Sequence, residues 1–405
     1  MTVSKAQIGL LSIVLLTALP ALAQTRAERL QEQRVKKSMS LKPPERSSFE
    51  KLLFEIKEQR IMERYQAGFK GFHPMLGGLS TGSGFALGTL FRRGETKESG
   101  LTFSASGQAS FLGYQKYEMS VEAPRLACEH FSLAFDFRQR NYPQEDFFGI
   151  GSDSSEADQT NFRLEDTLYS ASVAVRPVSK ARIGVRAGVL NTNTAAGTDT
   201  RFPSIEQLFN ANSAPGLDRQ PDYRFVGAFA AYDNRDQPLN PRAGGLYRVE
   251  TSYHDDQDFS SFSFQRWDFE VQKYLPFFNQ RRVIAARGRL QVTDTNRGQQ
   301  VPYFLLPVLG GSEDMRGFTE FRFRDRNSLI FNLEYRWEAF SGLDMALFGD
   351  AGNVFANVDD IELDKLKTSY GVGFRFNTSK SVFLRMDIGF SHEGMHTFMK
   401  FNHVF

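Results

Sequence analysis

The chain of 405 residues has one cysteine, Cys128, and only two tryptophans. A single cysteine cannot form an internal disulfide, so we interpret Cys128 as a structural residue. The formal net charge is only +2, which argues against a nucleic-acid partner bound by bulk charge. We therefore expect a fold without disulfides and a function without nucleic acid.

After residue 24 the sequence contains no run of 18 apolar residues, so no membrane-spanning helix is predicted there. Before it, Lys5, the apolar segment 8–19 and the small residues of Ala21-Leu22-Ala23 form the pattern of a signal peptide over 1–23. A membrane anchor is the alternative, but the apolar segment is short for a bilayer. We expect export and cleavage before Gln24, giving a soluble or barrel protein.

Phenylalanine is abundant, with 39 residues, and much of the chain alternates between apolar and polar positions. Apolar faces that oppose charges or glycines recur at 131–137, 183–189, 329–337, 370–376 and 382–390. A soluble sandwich would alternate too, with its apolar face inward. The segments reach about ten residues, as tilted membrane strands do, and outward apolar faces are typical of transmembrane barrels.

The pattern predicts an all-β fold, a transmembrane antiparallel barrel of about sixteen strands over 71–405. Residues 24–70 are expected to form a periplasmic linker, loosely ordered over 24–46, and a short helix over 47–65. Short turns such as 276–279 should be periplasmic and the long segments 141–161, 192–221 and 296–326 external. Phe401 and the terminal Phe405 resemble the aromatic last strand that is read during insertion. The expected strands are 71–79, 84–93, 100–110, 113–122, 130–140, 162–176, 181–191, 222–233, 244–254, 262–276, 281–295, 327–338, 342–355, 368–377, 381–391 and 395–405.

Three motifs carry a resemblance to one family. They are a turn with Asp233, Arg235, Asp236, Pro238, Pro241 and Gly244, a loop tip Met315-Arg316-Gly317-Phe318, and a strand with Phe348, Asp350 and Gly352. In this order they resemble the BamA/TamA-type outer-membrane assembly and translocation barrels, also called the bacterial surface antigen family. The similarity covers about residues 71–405 and implies an outer-membrane location.

In that family the loop at 296–326 folds back into the lumen. The resemblance implies that Arg316 pairs with Asp350, with Glu334 or Arg336 nearby; otherwise both are ordinary solvated charges. We expect Gly310, Gly311 and Gly317 to allow tight turns, and Gly352 to leave room for the loop. The proline-containing turn at 233–244 should be structural and periplasmic.

Fewer than fifty residues separate Gln24 from the first strand, too few for the POTRA domains of BamA-like members. The first hypothesis remains protein insertion or translocation, in which unfolded outer-membrane or exported proteins and a periplasmic adaptor or lipoprotein would be partners, with outer-membrane lipid around the barrel. Alternatives are a plugged or gated channel for anionic solutes and a surface-interaction protein. The channel would use lumen arginines, namely Arg182, Arg186, Arg287, Arg289, Arg375 and Arg385.

No catalytic set is recognised, and no cofactor is expected. His392-Glu393-Gly394-Met395-His396 matches the H-E-x-x-H zinc pattern, but that chemistry needs both histidines on one helix. Here the segment spans a predicted hairpin. We therefore expect neither a metal site nor an enzyme.

Overall fold

The computed structural model describes residues 26–40, 48, 51, 68–80, 82–94, 100–126, 130–378 and 381–401. The predicted signal peptide, Phe405 and nearly all of the helix expected at 47–65 lie outside these ranges. The expectation of loose order over 24–46 is wrong for helix α1 (Arg26–Ser40), because its Ala, Leu, Glu, Gln, Arg and Lys residues favour helix. None of the helices in the described part is long and apolar enough to cross a bilayer.

Sixteen strands form one antiparallel sheet in which each strand pairs with the next along the chain. The predicted all-β, sixteen-stranded barrel is therefore confirmed. Two further short strands, β12 (Val308–Leu309) and β13 (Phe323–Arg324), pair separately. The barrel strands are β1 (Phe72–Gly77), β2 (Ala86–Arg93), β3 (Thr102–Ser110), β4 (Gln115–Leu126), β5 (Phe131–Phe147), β6 (Thr160–Val175), β7 (Ala181–Ala196), β8 (Tyr223–Asp233), β9 (Gly244–Asp256), β10 (Phe264–Phe277), β11 (Arg282–Asp294), β14 (Asn327–Phe340), β15 (Leu343–Phe355), β16 (Lys367–Asn377), β17 (Val382–Ser391) and β18 (Gly394–Phe401).

The two faces of the sheet have opposite character. Large apolar side chains such as Phe131, Leu133 and Leu333 are exposed on the outer face. Charged residues between them in sequence, such as Glu334 and Arg385, are buried inside. Since successive side chains of a strand alternate between faces, the sequence pattern places an apolar surface outside and ion pairs within.

Strands β5, β6 and β7 extend further than the sequence predicts. Residues 141–147 and 160–161 were expected in a loop and 192–196 in another, yet all of them are strand. Phe147 in this extension packs, together with Phe162 and Leu164 of the predicted part of β6, on Tyr303 and Ile205. Ile205 begins the short helix α2 (Ile205–Leu208). Burial of these apolar side chains stabilises the extended strands, and sequence periodicity alone does not reveal that packing.

The first and last strands of the sheet, β1 and β18, adjoin where the barrel closes, and we call this border the seam. Within the described residues no hydrogen-bonded ladder joins these two strands. Gly77 at the end of β1 instead lies against the ring of Phe401 on β18, and Phe85 and Phe401 have ring centroids 6.5 Å apart. In the part of the chain that the structure describes, the contacts at the seam are therefore made by packed side chains.

Because the outer face of the barrel is apolar, replacing a leucine by arginine should lower stability on that face and not in a connection. Leu333 lies on the outer face of β14, whereas Leu363 lies in the connection between β15 and β16, and both are more than half exposed. Arginine at Leu333 should destabilise the barrel by about 2–4 kcal/mol, as at a bilayer midplane. Leu363→Arg should leave stability unchanged. Urea unfolding in lipid vesicles measures both, and equal stability of the two variants would contradict the outward assignment.

Candidate functional site: the plug loop and its charge cluster

The connection 295–326 between β11 and β14, called the plug loop here, folds into the barrel, as the family resemblance implies. Its tip turns at Gly310 and Gly311, whose φ angles are +121° and +88°. Glycine adopts this left-handed region without steric cost. The turn delivers Met315 and Phe318 into an apolar cluster with Ile330 on β14 and Val354 on β15.

Arg316 and Asp350 form a bidentate ion pair inside the barrel. The Nε and Nη2 atoms of Arg316 donate to the two carboxylate oxygens of Asp350 at 3.0 and 2.6 Å, and the backbone N–H of Arg316 donates at 3.1 Å. Asn332 and Ser369 also donate to that carboxylate, at 2.8 and 3.3 Å. The carboxylate is therefore fully engaged, and it fixes both the side chain and the backbone of the loop tip.

Arg316 also joins a larger cluster. Its Nη1 donates to Glu334, which further accepts from Arg336 at 2.5 Å and Arg375 at 3.0 Å. Four guanidinium groups meet three carboxylates, all in residues less than 6% exposed: Arg316, Arg336, Arg375, Arg385, Glu334, Asp350 and Asp387. Burial would lower the pKa of Arg316, but Asp350 and Glu334 outweigh burial and raise it. The loop tip is therefore held as a cation.

Phe348 and Gly389 of the barrel wall lie directly against Arg316. The guanidinium carbon of Arg316 lies 3.6 Å from the Phe348 ring centroid, a cation–π contact. A Cβ at Gly389 on β17 would lie 1.9 Å from the Arg316 carbonyl oxygen. A Cβ at Gly352 would lie 2.7 Å from the Leu329 carbonyl oxygen and 2.8 Å from the Ile330 side chain of β14, and Ile330 in turn packs against the loop tip. Gly317 is needed for close approach to Ser369 and Phe390, and it has no positive φ.

Sequence reasoning missed a second attachment of the plug loop. Arg322 donates to both carboxylate oxygens of Glu393 at 3.0 Å and to the carbonyl of Ser154 at 2.8 Å. Arg324 donates to the carbonyl of Tyr303 at 2.7 Å and is 2% exposed. The alternating Phe321-Arg322-Phe323-Arg324 segment was the available signal, since alternation places both arginines on one face.

The lumen arginines of the channel hypothesis are paired with carboxylates. The pairs Arg287–Glu270 and Arg289–Asp268 have N–O distances of 2.9 and 2.5 Å. Arg287 also donates to the carbonyl of Glu313 in the plug loop at 2.8 Å. The more exposed pairs are Arg182–Glu122 and Arg186–Glu250, at 3.7 and 3.3 Å. Arg375 and Arg385 belong to the buried cluster. Each guanidinium group thus has a carboxylate neighbour, which weakens the attraction for an anionic solute.

The turn at 233–244 organises its own backbone. Asp233 binds Arg235 in a bidentate pair, and the Asp236 carboxylate accepts backbone N–H groups of Gln237, Arg242 and Ala243. Pro238 and Pro241 lie within this turn, and Gly244 ends it with a φ of +92°. Arg242 reaches Asp344 on β15 at 2.6 Å. Arg242 also donates to the carbonyl of Gln280, between β10 and β11, at 2.8 Å, so these contacts connect three neighbouring turns.

The H-E-x-x-H segment does not form one helical face. His392 and Glu393 lie in the turn between β17 and β18, while His396 lies on β18. Glu393 is bound by Arg322. Throughout the described ranges, no three His, Cys, Asp or Glu side chains are arranged to hold a metal ion.

Removing the charge of Arg316 should destabilise the barrel. Arg316→Met leaves Asp350 buried without its guanidinium partner, which costs about 3–5 kcal/mol. The double change R316M/D350N should recover much of this loss, because Glu334 keeps Arg336 and Arg375. Urea unfolding in vesicles gives both free energies, and a double variant no more stable than R316M would argue against the pair.

Gly389→Ala should displace the loop tip, because the added Cβ would overlap the Arg316 carbonyl. The matched control is Gly349→Ala on β15, where the nearest atom to a Cβ is 3.9 Å away. We expect protease cleavage within 310–318 and increased single-channel conductance in planar bilayers for G389A alone. A G389A barrel with wild-type cleavage and conductance would refute the close approach.

Comparison with known proteins matches this geometry to a family. The profile of the Omp85 superfamily domain matches residues 98–403, while no curated protein matches the sequence significantly. The fold is similar to BamA from Haemophilus ducreyi lacking POTRA domains 1-3, with 14% identity, a TM-score of 0.59, and 82% of this chain and 70% of that chain covered.

Two CdiB structures are also similar. CdiB from Escherichia coli has 11% identity and a TM-score of 0.54, and CdiB from Acinetobacter baumannii has 11% identity and a TM-score of 0.51. Both alignments cover 82% of this chain, which spans 62% and 59% of the two CdiB chains. At this identity the structures establish the fold, and the family profile covers most of the chain. The expected family resemblance is confirmed: the chain belongs to the Omp85 superfamily and is an outer-membrane β-barrel protein.

Proposed function

We propose that this barrel assists the insertion or translocation of proteins at the outer membrane. The observation that carries the proposal is the seam, where β1 and β18 adjoin without a ladder in the described residues. Unpaired N–H and C=O groups along a strand edge are a template for another strand. A substrate strand could therefore pair with β18 while its remaining strands form.

The dimensions of the seam support this role. Strand β1 has 6 residues and β18 has 8 described residues, whereas β5 to β7 have 16 or 17. A cavity of about 390 Å³ lies at the seam, lined by Gly77, Gly84, Ser312 and Phe401 among others. Short strands and unfilled space imply that few contacts must break for the seam to open.

Several parts of the proposal concern the chain outside the described barrel. Residues 1–23 would direct export as a signal peptide, and residues 24–70 would lie in the periplasm. That segment would contact a periplasmic adaptor or lipoprotein. The substrates would be unfolded outer-membrane or exported proteins, and the protein would have no enzymatic activity. The long connections after β5, β7 and β11 would leave the wall on its external side, and the last of them would fold back into the barrel as the plug loop.

A plugged channel and a surface-interaction protein remain the other two hypotheses. Pairing of the lumen arginines, as in Arg287–Glu270 and Arg289–Asp268, argues against anion conduction by the resting barrel. None of the contacts described above for residues 68–401 argues for a surface partner. Insertion or translocation therefore ranks first.

A disulfide across the seam tests the proposal. A Cβ at Gly77 would lie 3.6 Å from the Cβ of Phe401, within the roughly 3.5–4.5 Å typical of disulfides. The variant carries Gly77→Cys and Phe401→Cys with Cys128→Ser, and it replaces the wild-type protein in cells. We expect quantitative outer-membrane proteomics to find the selective loss of other barrels, or of one exported protein, that depletion also causes.

The two single-cysteine variants are the matched controls, and they also report any strain from a side chain at position 77. They should restore a wild-type proteome. A crosslinked barrel that restores the proteome as fully as they do would overturn the seam mechanism. An unchanged proteome on depletion itself would overturn the assembly function.

A further inference from the structure

The plug loop is fastened to the terminal hairpin β17–β18 at three places, together called the hairpin clasp. They are the ion pair Arg322–Glu393, the hydrogen bond from Ser391 to the carbonyl of Gly317, and the ion pair Glu313–Lys400. Strand β18 is the barrel edge that borders the seam. The clasp therefore joins the loop inside the barrel to the strand whose movement would open the wall.

The outermost contact is buried and directional. The side chains of Arg322 and Glu393 are 4% and 8% exposed, and the guanidinium group donates to both carboxylate oxygens. Arg322 also donates to Oγ of Ser154 at 3.0 Å and to its carbonyl at 2.8 Å. Because Ser154 lies between β5 and β6 on the far wall, Arg322 ties the turn of the terminal hairpin across the mouth of the barrel.

The inner contacts fix the strands themselves. Oγ of Ser391 donates to the Gly317 carbonyl at 2.5 Å, and Arg385 on β17 donates to the Ser312 carbonyl at 3.0 Å. Nζ of Lys400 on β18 lies 2.7 Å from Glu313. The backbone of Arg316 packs directly against the backbone of Gly389 on β17, with no room for a side chain between them. The loop tip is consequently packed along the length of the hairpin.

We infer that the plug loop acts as a brake on the seam: while the hairpin clasp is closed, β18 cannot move outward unless the loop also moves. A substrate or partner that displaces the loop would release the hairpin, and a substrate strand that separates β18 would unseat the loop. The role of the seam in receiving substrate rests on the proposed function, whereas the mechanical coupling rests on these contacts alone.

The two ion pairs contribute unequally. Loss of one member of the buried pair Arg322–Glu393 strands the other charge, which is strongly destabilising. The pair Glu313–Lys400 is more exposed, with side chains 54% and 21% exposed, so solvent screens it and its contribution is small. The Arg322–Glu393 pair is thus the main restraint on the hairpin, and the Glu313–Lys400 pair adds a smaller restraint.

Distances between spin labels across the seam test the brake in the purified, full-length protein in lipid vesicles. Labels at Leu87→Cys on β2 and Met399→Cys on β18 replace outward, half-exposed side chains, with Cys128→Ser throughout. Lys400→Gln should raise the fraction of molecules with the longer label distance about two- to fivefold, as for loss of an exposed ion pair. Glu393→Gln should raise this fraction by about tenfold or more.

The charge swap E313K/K400E keeps an ion pair of reversed direction, so it should return the distance distribution to that of the wild type. The matched control is Lys116→Gln, which removes the Lys116–Glu118 pair of β4 at 2.8 Å and should change nothing. Migration of the unboiled protein on denaturing gels verifies that each barrel is folded. A folded Glu393→Gln barrel with a wild-type distribution, or a charge swap that behaves like Lys400→Gln, would overturn the brake.

This measurement uses no substrate and is independent of the proteome. A seam loosened by Glu393→Gln, together with an unchanged proteome on depletion, would support the brake and refute the insertion function. A seam that Glu393→Gln leaves unchanged, together with a proteome altered by depletion, would refute the brake and support the insertion function.

Discussion

The burial of one guanidinium group inside a membrane barrel is the constraint on which the rest of this structure depends. Arg316 is 1% exposed, and a charge in such a place is stable only with partners that satisfy its donors. Asp350 and Glu334 supply them from two adjacent strands. Their position fixes the loop tip, and the loop in turn fills the lumen between the strands.

The buried charge cluster extends from Arg316 to neighbouring strands, because some of its carboxylates each bind more than one arginine. Glu334 connects Arg316 to Arg375, and Arg375 connects to Asp387 on β17 at 2.6 Å. The same strand offers Gly389 to the loop backbone and leads into the hairpin that contains Glu393. A continuous set of polar contacts therefore runs from Arg316 to β17, the first strand of the hairpin that borders the seam. Within the described residues every barrel strand pairs with its neighbours along the chain, and no ladder joins β1 to β18.

Alternation in the sequence was sufficient for most of the fold, because a strand that separates lipid from a polar lumen must alternate along its whole length. All sixteen barrel strands were anticipated, including the short first hairpin. The predicted strand ends were wrong where the strands pack against the long connections between other strands. Phe147 extends β5 because its ring packs against Phe209 and Tyr303 in the long connections, and no local sequence pattern predicts that contact. Helix α1 was missed because its charged residues were taken for a linker.

The sequence by itself determined the barrel, the inward carboxylate at Asp350 and the single arginine of the loop tip, since periodicity and motif order are local properties of the chain. Only the tertiary structure decided which residues meet. It placed Gly389 directly against the Arg316 backbone, and it joined Arg322 to Glu393 across 71 positions and Lys400 to Glu313 across 87. The physical reason is that the plug loop is irregular, so the partners of its side chains depend on how the closed wall surrounds it.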